Sequence, residues 1–390
     1  MSIPVITDSI LYVGADDTTI DLFESQYIVP EGVSYNSYVI MDEKITIMDT
    51  VDKRATEEWF ENVERVLDGK KPEYLVVSHL EPDHAANIQK AAEKYPEMKI
   101  VGNAKTFAMI PQFFDLDLSE RSVVVAEGDT LNLGAHTLQF FMAPMVHWPE
   151  VMVSYEQSEK ILFSADGFGK FGALSKTEGE DWACEARRYY FNIVGKYGAQ
   201  VQALLKKAAT LDIAMICPLH GPILKENLGY YIDKYNTWSS YQAEDEGVLV
   251  AYASIHGNTA DAAKKLGEIL EAKGAKKVVV SDLSREDMAE VIEDAFRYDK
   301  IILAAATYDG GIFPVMQDFI HHLKSKNYQN KAVGFVENGS WAPVAAKQMR
   351  AAVEEMKNMT ICDEVVTIKS VMKEDTVQAL ERLAEEMINK

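Results

Sequence analysis

Ser78–Ile88 reads SHLEPDHAANI and places His79, Glu81, Asp83 and His84 within six positions. The preceding EYLVVS has the apolar texture of a buried strand. Burying four ionisable groups at a strand end costs several kcal/mol per group unless something pairs them. A metal ion would pair them. Read alone, the segment fits a metal site and a solvated polar turn equally well.

Three further apolar strands end in the same way. LQFFMAPMVHWP delivers His147, KILFSADGFG delivers Asp166, and DIAMICPLHGP delivers His220. A lone His after a strand is more often a structural hydrogen-bonder, but strand ends in a sheet domain converge on one rim. Four such ends in order therefore point to a common centre of His79, Glu81, Asp83, His147, Asp166 and His220. Three imidazoles and three carboxylates are too many for one ion that must also bind substrate. Two ions roughly 3.5–4 Å apart, bridged by a carboxylate, fit the count. The absence of thiolate suits iron or manganese better than structural zinc. Asp166, the lone carboxylate of its loop, is the expected bridge. His79, Glu81 and His147 would serve one ion, Asp83 and His220 the other.

Around this core the chain is ordinary for a globular protein: 390 residues, 47% hydrophobic and 26% charged. Its formal net charge of −22 argues against nucleic acid and anionic membrane as partners. No apolar run approaches eighteen residues, so no membrane span is expected. The start, MSIPVITDSILYVG, shows no cationic leader. Three scattered cysteines, Cys184, Cys217 and Cys362, give no disulfide framework and fit a reducing cytoplasm.

The texture changes at an acidic hinge, Glu244–Gly247, which sets the expected boundary: domains 1–246 and 247–390. In the first, paired strands such as YNSYVIMDE and KITIMDTVD alternate with helices near 55–69, 84–96 and 182–208. That pattern suggests two sheets in a sandwich with helices outside. In the second, five short apolar strands alternate with helices of 10–17 residues, which means a doubly wound parallel sheet. Its first strand runs into YASIHGNTADAAKKL, where Ser254, Ile255, His256, Gly257, Asn258 and Thr259 open a helix. Small and hydroxylated residues there make an anion cradle suited to a single phosphate. This is neither a dinucleotide fingerprint nor a Walker loop, and a GNT triplet alone is often only a helix cap. Two later strand-end loops strengthen it: Thr307, Tyr308, Asp309, Gly310 and Gly311, then Asn338, Gly339, Ser340 and Trp341. Tyr308 and Trp341 could pack on a flat ring or serve an interface.

The motifs HLEPDH, HWPEVM, LFSADGFG and PLHGP, in that order, resemble the metallo-β-lactamase-like domain of flavodiiron proteins. The SIHGNT loop and the doubly wound pattern resemble the flavodoxin-like FMN domain of the same family, so the resemblance spans essentially the whole chain. The hydrolytic relatives carry His where this chain has Glu81, and the Glu form implies iron. The resemblance implies an α/β multidomain fold, an αβ/βα sandwich followed by a flavodoxin-like sheet. It implies FMN and two non-haem irons, with His84 outside the ligand set and Tyr190 as a proton donor near bound substrate. It further implies an external donor, rubredoxin or a reduced deazaflavin, and a homodimer or dimer of dimers.

Two ions and one flavin together store four electrons, what dioxygen needs to become two waters; two suffice to couple nitric oxide to nitrous oxide. Domain radii put the two sites on the order of 30 Å apart within a chain, so a head-to-tail dimer would bring one chain's flavin to the other's irons. The alternative reading is a zinc-dependent hydrolase with an appended flavodoxin-like module, which Glu81 argues against.

Overall fold

The computed structural model describes residues 4–390; Met1–Ile3, the start of the stretch read as lacking a leader, lie outside the described residues. By its contacts the chain forms two compact units, 1–190 with 199–236, and 191–198 with 237–390. The boundary expected at 246 falls within the strand Asp245–Ala253. It had been placed on a change of texture, whereas the units divide by packing.

The first unit holds two sheets. The six-stranded one runs in the order Ile10–Tyr12, Tyr38–Ile40, Thr46–Met48, Tyr74–Val76, Lys99–Asn103 and Ser122–Val125. Its first three strands pair antiparallel and the rest parallel. The expected hairpin is present, with Val39 opposite Ile47. The five-stranded sheet comprises Thr130–Asn132, Thr137–Met142, Met152–Glu156, Ile161–Phe163 and Met215–Cys217, the last pair parallel. The inner faces meet in one core, where Tyr38, Ile40, Met48, Val76 and Val101 pack with Leu138, Phe140, Met152, Ile161 and Phe163. Each such fully buried side chain contributes roughly 1.5–3 kcal/mol. On the outside, the helix Thr56–Leu67 buries Trp59, whose indole N–H donates to Ser37 Oγ at 3.0 Å.

The helix expected near 84–96 is two pieces, Pro82–Ala85 and Ile88–Lys94. The helix expected over 182–208 is continuous but uneven. Trp182–Tyr189 passes into a π-turn, Tyr190–Val194, and a 3₁₀ turn, Gly195–Tyr197, before Gly198–Ala208.

The second unit is built on five parallel strands in the order Val278–Asp282, Asp245–Ala253, Tyr298–Tyr308, Ala332–Asn338 and Thr360–Ile368, with the short strand Gly311–Ile312 antiparallel to Tyr298–Tyr308. In chain order that is 2-1-3-4-5, the flavodoxin-like winding. Helices Asn258–Ala272 and Glu374–Ile388 pack together; Met288–Arg297, Pro314–Ser325 and Ala345–Glu354 pack in a row. Segment 191–198 joins this unit. Phe191 stacks on Phe296 with ring centres 4.3 Å apart, and Lys326 Nζ donates to Asn192 O at 2.7 Å. Among the described residues no helix is long and apolar enough to cross a membrane. Among the described residues the three cysteines form no disulfide.

Candidate metal centre

The four strand ends do meet. The strand Tyr74–Val76 leads into His79 and Glu81, and Pro82 then starts a short helix carrying Asp83 and His84 on its first turn. Met152 N–H donates to Ser78 O at 3.1 Å, which ties this loop to the second sheet. His147, Asp166 and His220 arrive from loops after strands of that sheet.

The ligand atoms fall into two groups, each within 4.8 Å: His79, Glu81, His147 and Asp166, then Asp83, His84 and His220. Asp166 faces both. Its Oδ2 lies 3.4 Å from His79 Nε2 and 3.3 Å from His147 Nε2. Its Oδ1 lies 3.3 Å from His84 Nε2 and 3.8 Å from His220 Nε2. Glu81 Oε2 stands 2.8 Å from His147 Nε2 and 3.2 Å from His79 Nε2. Asp83 Oδ2 stands 3.2 Å from His220 Nε2. His84, expected outside the set, has its Nε2 3.1 Å from His220 Nε2, inside the second group. The physical reason is local: the helix that begins at Pro82 presents Asp83 and His84 to the same space.

This donor set fits cations. Four carboxylate oxygens, both of Asp83 and both of Asp166, are buried without a hydrogen bond. His79 and His220 hold their outer nitrogens on acceptors, Glu150 Oε1 at 2.8 Å and Ser34 O at 2.7 Å, so their Nε2 lone pairs point inward. Lone pairs converging on lone pairs require positive charge between them. Without an ion, protons supply it. Burial would lower the imidazoles of His79, His84 and His147, yet the surrounding carboxylates raise all three, His147 to about 9. Burial would likewise raise Asp166, but His147, His84 and His79 hold it well below the ordinary range.

Several neighbours went unread in the sequence. Glu150, three residues after His147, anchors His79. Trp148 packs its ring edge-on to His79 at 5.2 Å. Phe23, from a hairpin of Leu22–Phe23 and Tyr27–Ile28, packs against His220 at 5.4 Å. Tyr190 is buried against Tyr235 at 5.1 Å. Tyr189 and Tyr35 lie beside the centre, their rings 5.5 and 6.1 Å from His220.

In the second unit the predicted loops line one cavity of about 620 Å³. All the residues named from them contribute except Gly257 and Gly311; Ala306, Ala342 and Ser370 join. Gly257 caps the helix Asn258–Ala272 at φ +94°, and a Cβ there would meet nothing within 4 Å. That open cradle at a helix N-terminus suits a phosphate. Thr307 Oγ1 is engaged elsewhere, accepting from Val344 N–H at 3.0 Å and Ala345 N–H at 3.2 Å. Trp341 is 92% exposed, and Ile255 and Tyr308 are also exposed around the cavity.

Comparison with known proteins finds the same pair of domains. Residues 33–221 match the ODP family beta lactamase and residues 249–385 a flavodoxin domain. The chain is 30% identical to the rubredoxin-oxygen oxidoreductase of Megalodesulfovibrio gigas, over 88% of this chain and 87% of that one. It is 29% identical to the nitric oxide reductase of Moorella thermoacetica, over 97% and 96%. The solved rubredoxin oxygen:oxidoreductase from Desulfovibrio gigas superposes with a TM-score of 0.93 at 28% identity, covering 100% of this chain and 98% of that one.

Proposed function

The chain belongs to the flavodiiron protein family, and we propose that it passes electrons from an external donor through FMN to two non-haem irons, reducing dioxygen to water or nitric oxide to nitrous oxide. It is an oxidoreductase, with FMN and a di-iron centre as its cofactors. The zinc hydrolase alternative is not retained. The observation that carries the proposal is Asp166, whose two oxygens face two separate groups of donors.

In this reading His79, Glu81 and His147 would hold one ion, Asp83, His84 and His220 the other, with Asp166 facing both. Two ions that change oxidation state, together with a flavin, would supply the electrons when bound. The chain's own part is to hold that geometry and keep water out, with Trp148, Phe23 and Tyr189 walling the imidazoles. Tyr189, its ring 5.5 Å from His220, joins Tyr190 as a candidate phenol at the centre. The phosphate of FMN would sit on Gly257, Asn258 and Thr259, and its ring between the Tyr308 and Trp341 loops.

The names of the relatives support rubredoxin as donor, with a reduced deazaflavin as the other candidate. We further place the protein in the cytoplasm as a homodimer or dimer of dimers, without nucleic-acid or membrane partners, consistent with its charge. The test is the purified protein's metal and flavin content, followed by anaerobic reduction and exposure to dioxygen or nitric oxide. Two irons and one FMN per chain, with consumption of either gas, are expected. Zinc without flavin, or no consumption of either gas by the reduced protein, would refute the proposal.

A further inference from the structure

The imidazoles of the centre are not supported alike. His79 Nδ1–H donates to Glu150 Oε1 at 2.8 Å, and both side chains are fully buried. His220 Nδ1–H donates to a neutral acceptor, the Ser34 carbonyl, at 2.7 Å. His84 Nδ1 is buried with no hydrogen-bond partner. The outer partners thus run from carboxylate through carbonyl to none.

Glu150 is built for this contact. Its Oε1 also accepts Leu80 N–H at 2.9 Å, and its backbone carbonyl is held by Asn103 Nδ2 at 2.6 Å. Its Oε2 is buried without a hydrogen bond, and His79 is the one cationic side chain within ion-pair distance among the described residues. No lysine or arginine dilutes the charge, so it acts on His79. A buried carboxylate on the outer nitrogen makes the inner nitrogen a stronger donor. Stronger donation binds a cation more tightly and favours its higher charge.

We infer that Glu150 makes the two halves of the centre unequal, so that the His79–Glu81–His147 half binds metal more tightly and retains the higher oxidation state longer. This rests on the di-metal reading above. Glu150 is a positioning residue acting through His79.

Glu150→Gln separates charge from shape. The amide oxygen can keep both Oε1 hydrogen bonds, and the amide nitrogen takes the place of the unpartnered Oε2. The probe is Co(II), titrated into metal-free full-length protein against a competing chelator. Wild type should bind two equivalents in unequal steps. Glu150→Gln should weaken the tighter step by about 10–100-fold and leave the other unchanged; Glu150→Asp, which keeps the charge, should restore the inequality. In iron-loaded protein, an EPR-monitored reductive titration should show one half reduced at a higher potential in Glu150→Gln. Should that variant fold poorly, Asp83→Ala and Glu81→Ala decide: the first should keep one tight equivalent, the second only a weak one. Equal steps in wild type, or equal weakening of both by Glu150→Gln, would overturn the inference while leaving the di-metal reading intact. Failure to bind Co(II) at all would overturn both.

Discussion

Asp166→Asn is the sharpest single test of the bridged centre. The substitution keeps the side chain's shape, removes its charge and replaces one of the two oxygens that face four imidazoles at 3.3–3.8 Å with an amide NH2 donor. In metal-free protein it strands buried imidazolium groups, and breaking a buried ion pair by removing one partner costs about 3–5 kcal/mol. In metal-loaded protein the loss is different in kind. A site filled at a hundred times its Kd adds about 2.7 kcal/mol to stability, and a shared bridge means that both sites go, about 5 kcal/mol together. For a unit of this size each kcal/mol moves Tm by roughly 2–4 °C, so the metal-dependent part of Tm is on the order of 10–20 °C. The assay is metal analysis together with thermal melts with and without a chelator. Wild type should carry two irons and lose Tm on chelation. Asp166→Asn should carry almost none, and its melt should ignore the chelator. Two irons retained, or one retained at full occupancy, would refute the bridging role.

Glu81→Ala touches one group only, so it should lower iron content without expelling FMN and abolish turnover; Glu81→His should shift the site toward zinc. Full iron and full activity in Glu81→Ala would remove Glu81 from the ligand set. Replacing Asn258 and Thr259 with glutamates should expel FMN by steric clash and charge repulsion and leave iron in place, as absorbance and metal analysis would show. Lys331 is buried, its Nζ donating to Phe296 O at 2.7 Å, and burial lowers its ammonium to about 7 from 10.5. Between those values the unfolded chain binds the extra proton, so this residue makes stability rise with pH across that window. Lys331→Met should flatten the rise and stabilise the protein at pH 6 by a few kcal/mol: up to about 5 from the charge, less about 1–3 for the orphaned carbonyl. Urea melts at pH 6 and 9 that show the wild-type slope unchanged would contradict it. Mixing His147→Ala with the FMN-less variant under subunit exchange should recover about half the wild-type activity, because one of two cross-chain pairs is intact; no recovery despite exchange would place electron transfer within a chain.

The features legible in the sequence were those encoded locally. An apolar strand followed by His, Asp or Glu can be read from a dozen residues, and four such ends located the centre. The doubly wound parallel sheet followed from regular alternation of strand and helix, though its strand order did not. Relations that exist only across the fold stayed hidden. Glu150 lies 71 positions from His79, and nothing in HWPE says which imidazole it serves. Tyr189 and Tyr190 are neighbours in RRYYFNI, and which one faces the centre depends on helical phase at the helix end. The helix Leu228–Ser239 was missed because its polar and aromatic residues carry no clear apolar stripe. Placing His84 inside the second group needed the direction of the turn that begins at Pro82.

The uneven helix through Tyr190–Val194 bears on how such a protein could be taken apart or recombined. Three times, after Tyr190, Gly198 and Asn236, the backbone passes from one compact unit to the other. A gene fragment for 247–390 would therefore lack Phe191, the stacking partner of Phe296, and the Asn192 carbonyl that receives Lys326. It would also lack Tyr241, whose hydroxyl donates to Gly195 O at 2.9 Å. The flavodoxin-like unit is thus no detachable cassette. Grafting another onto this sandwich would require rebuilding eight residues borrowed from the middle of the chain as well as the C-terminal stretch, a constraint on modular exchange that a single linker would not impose.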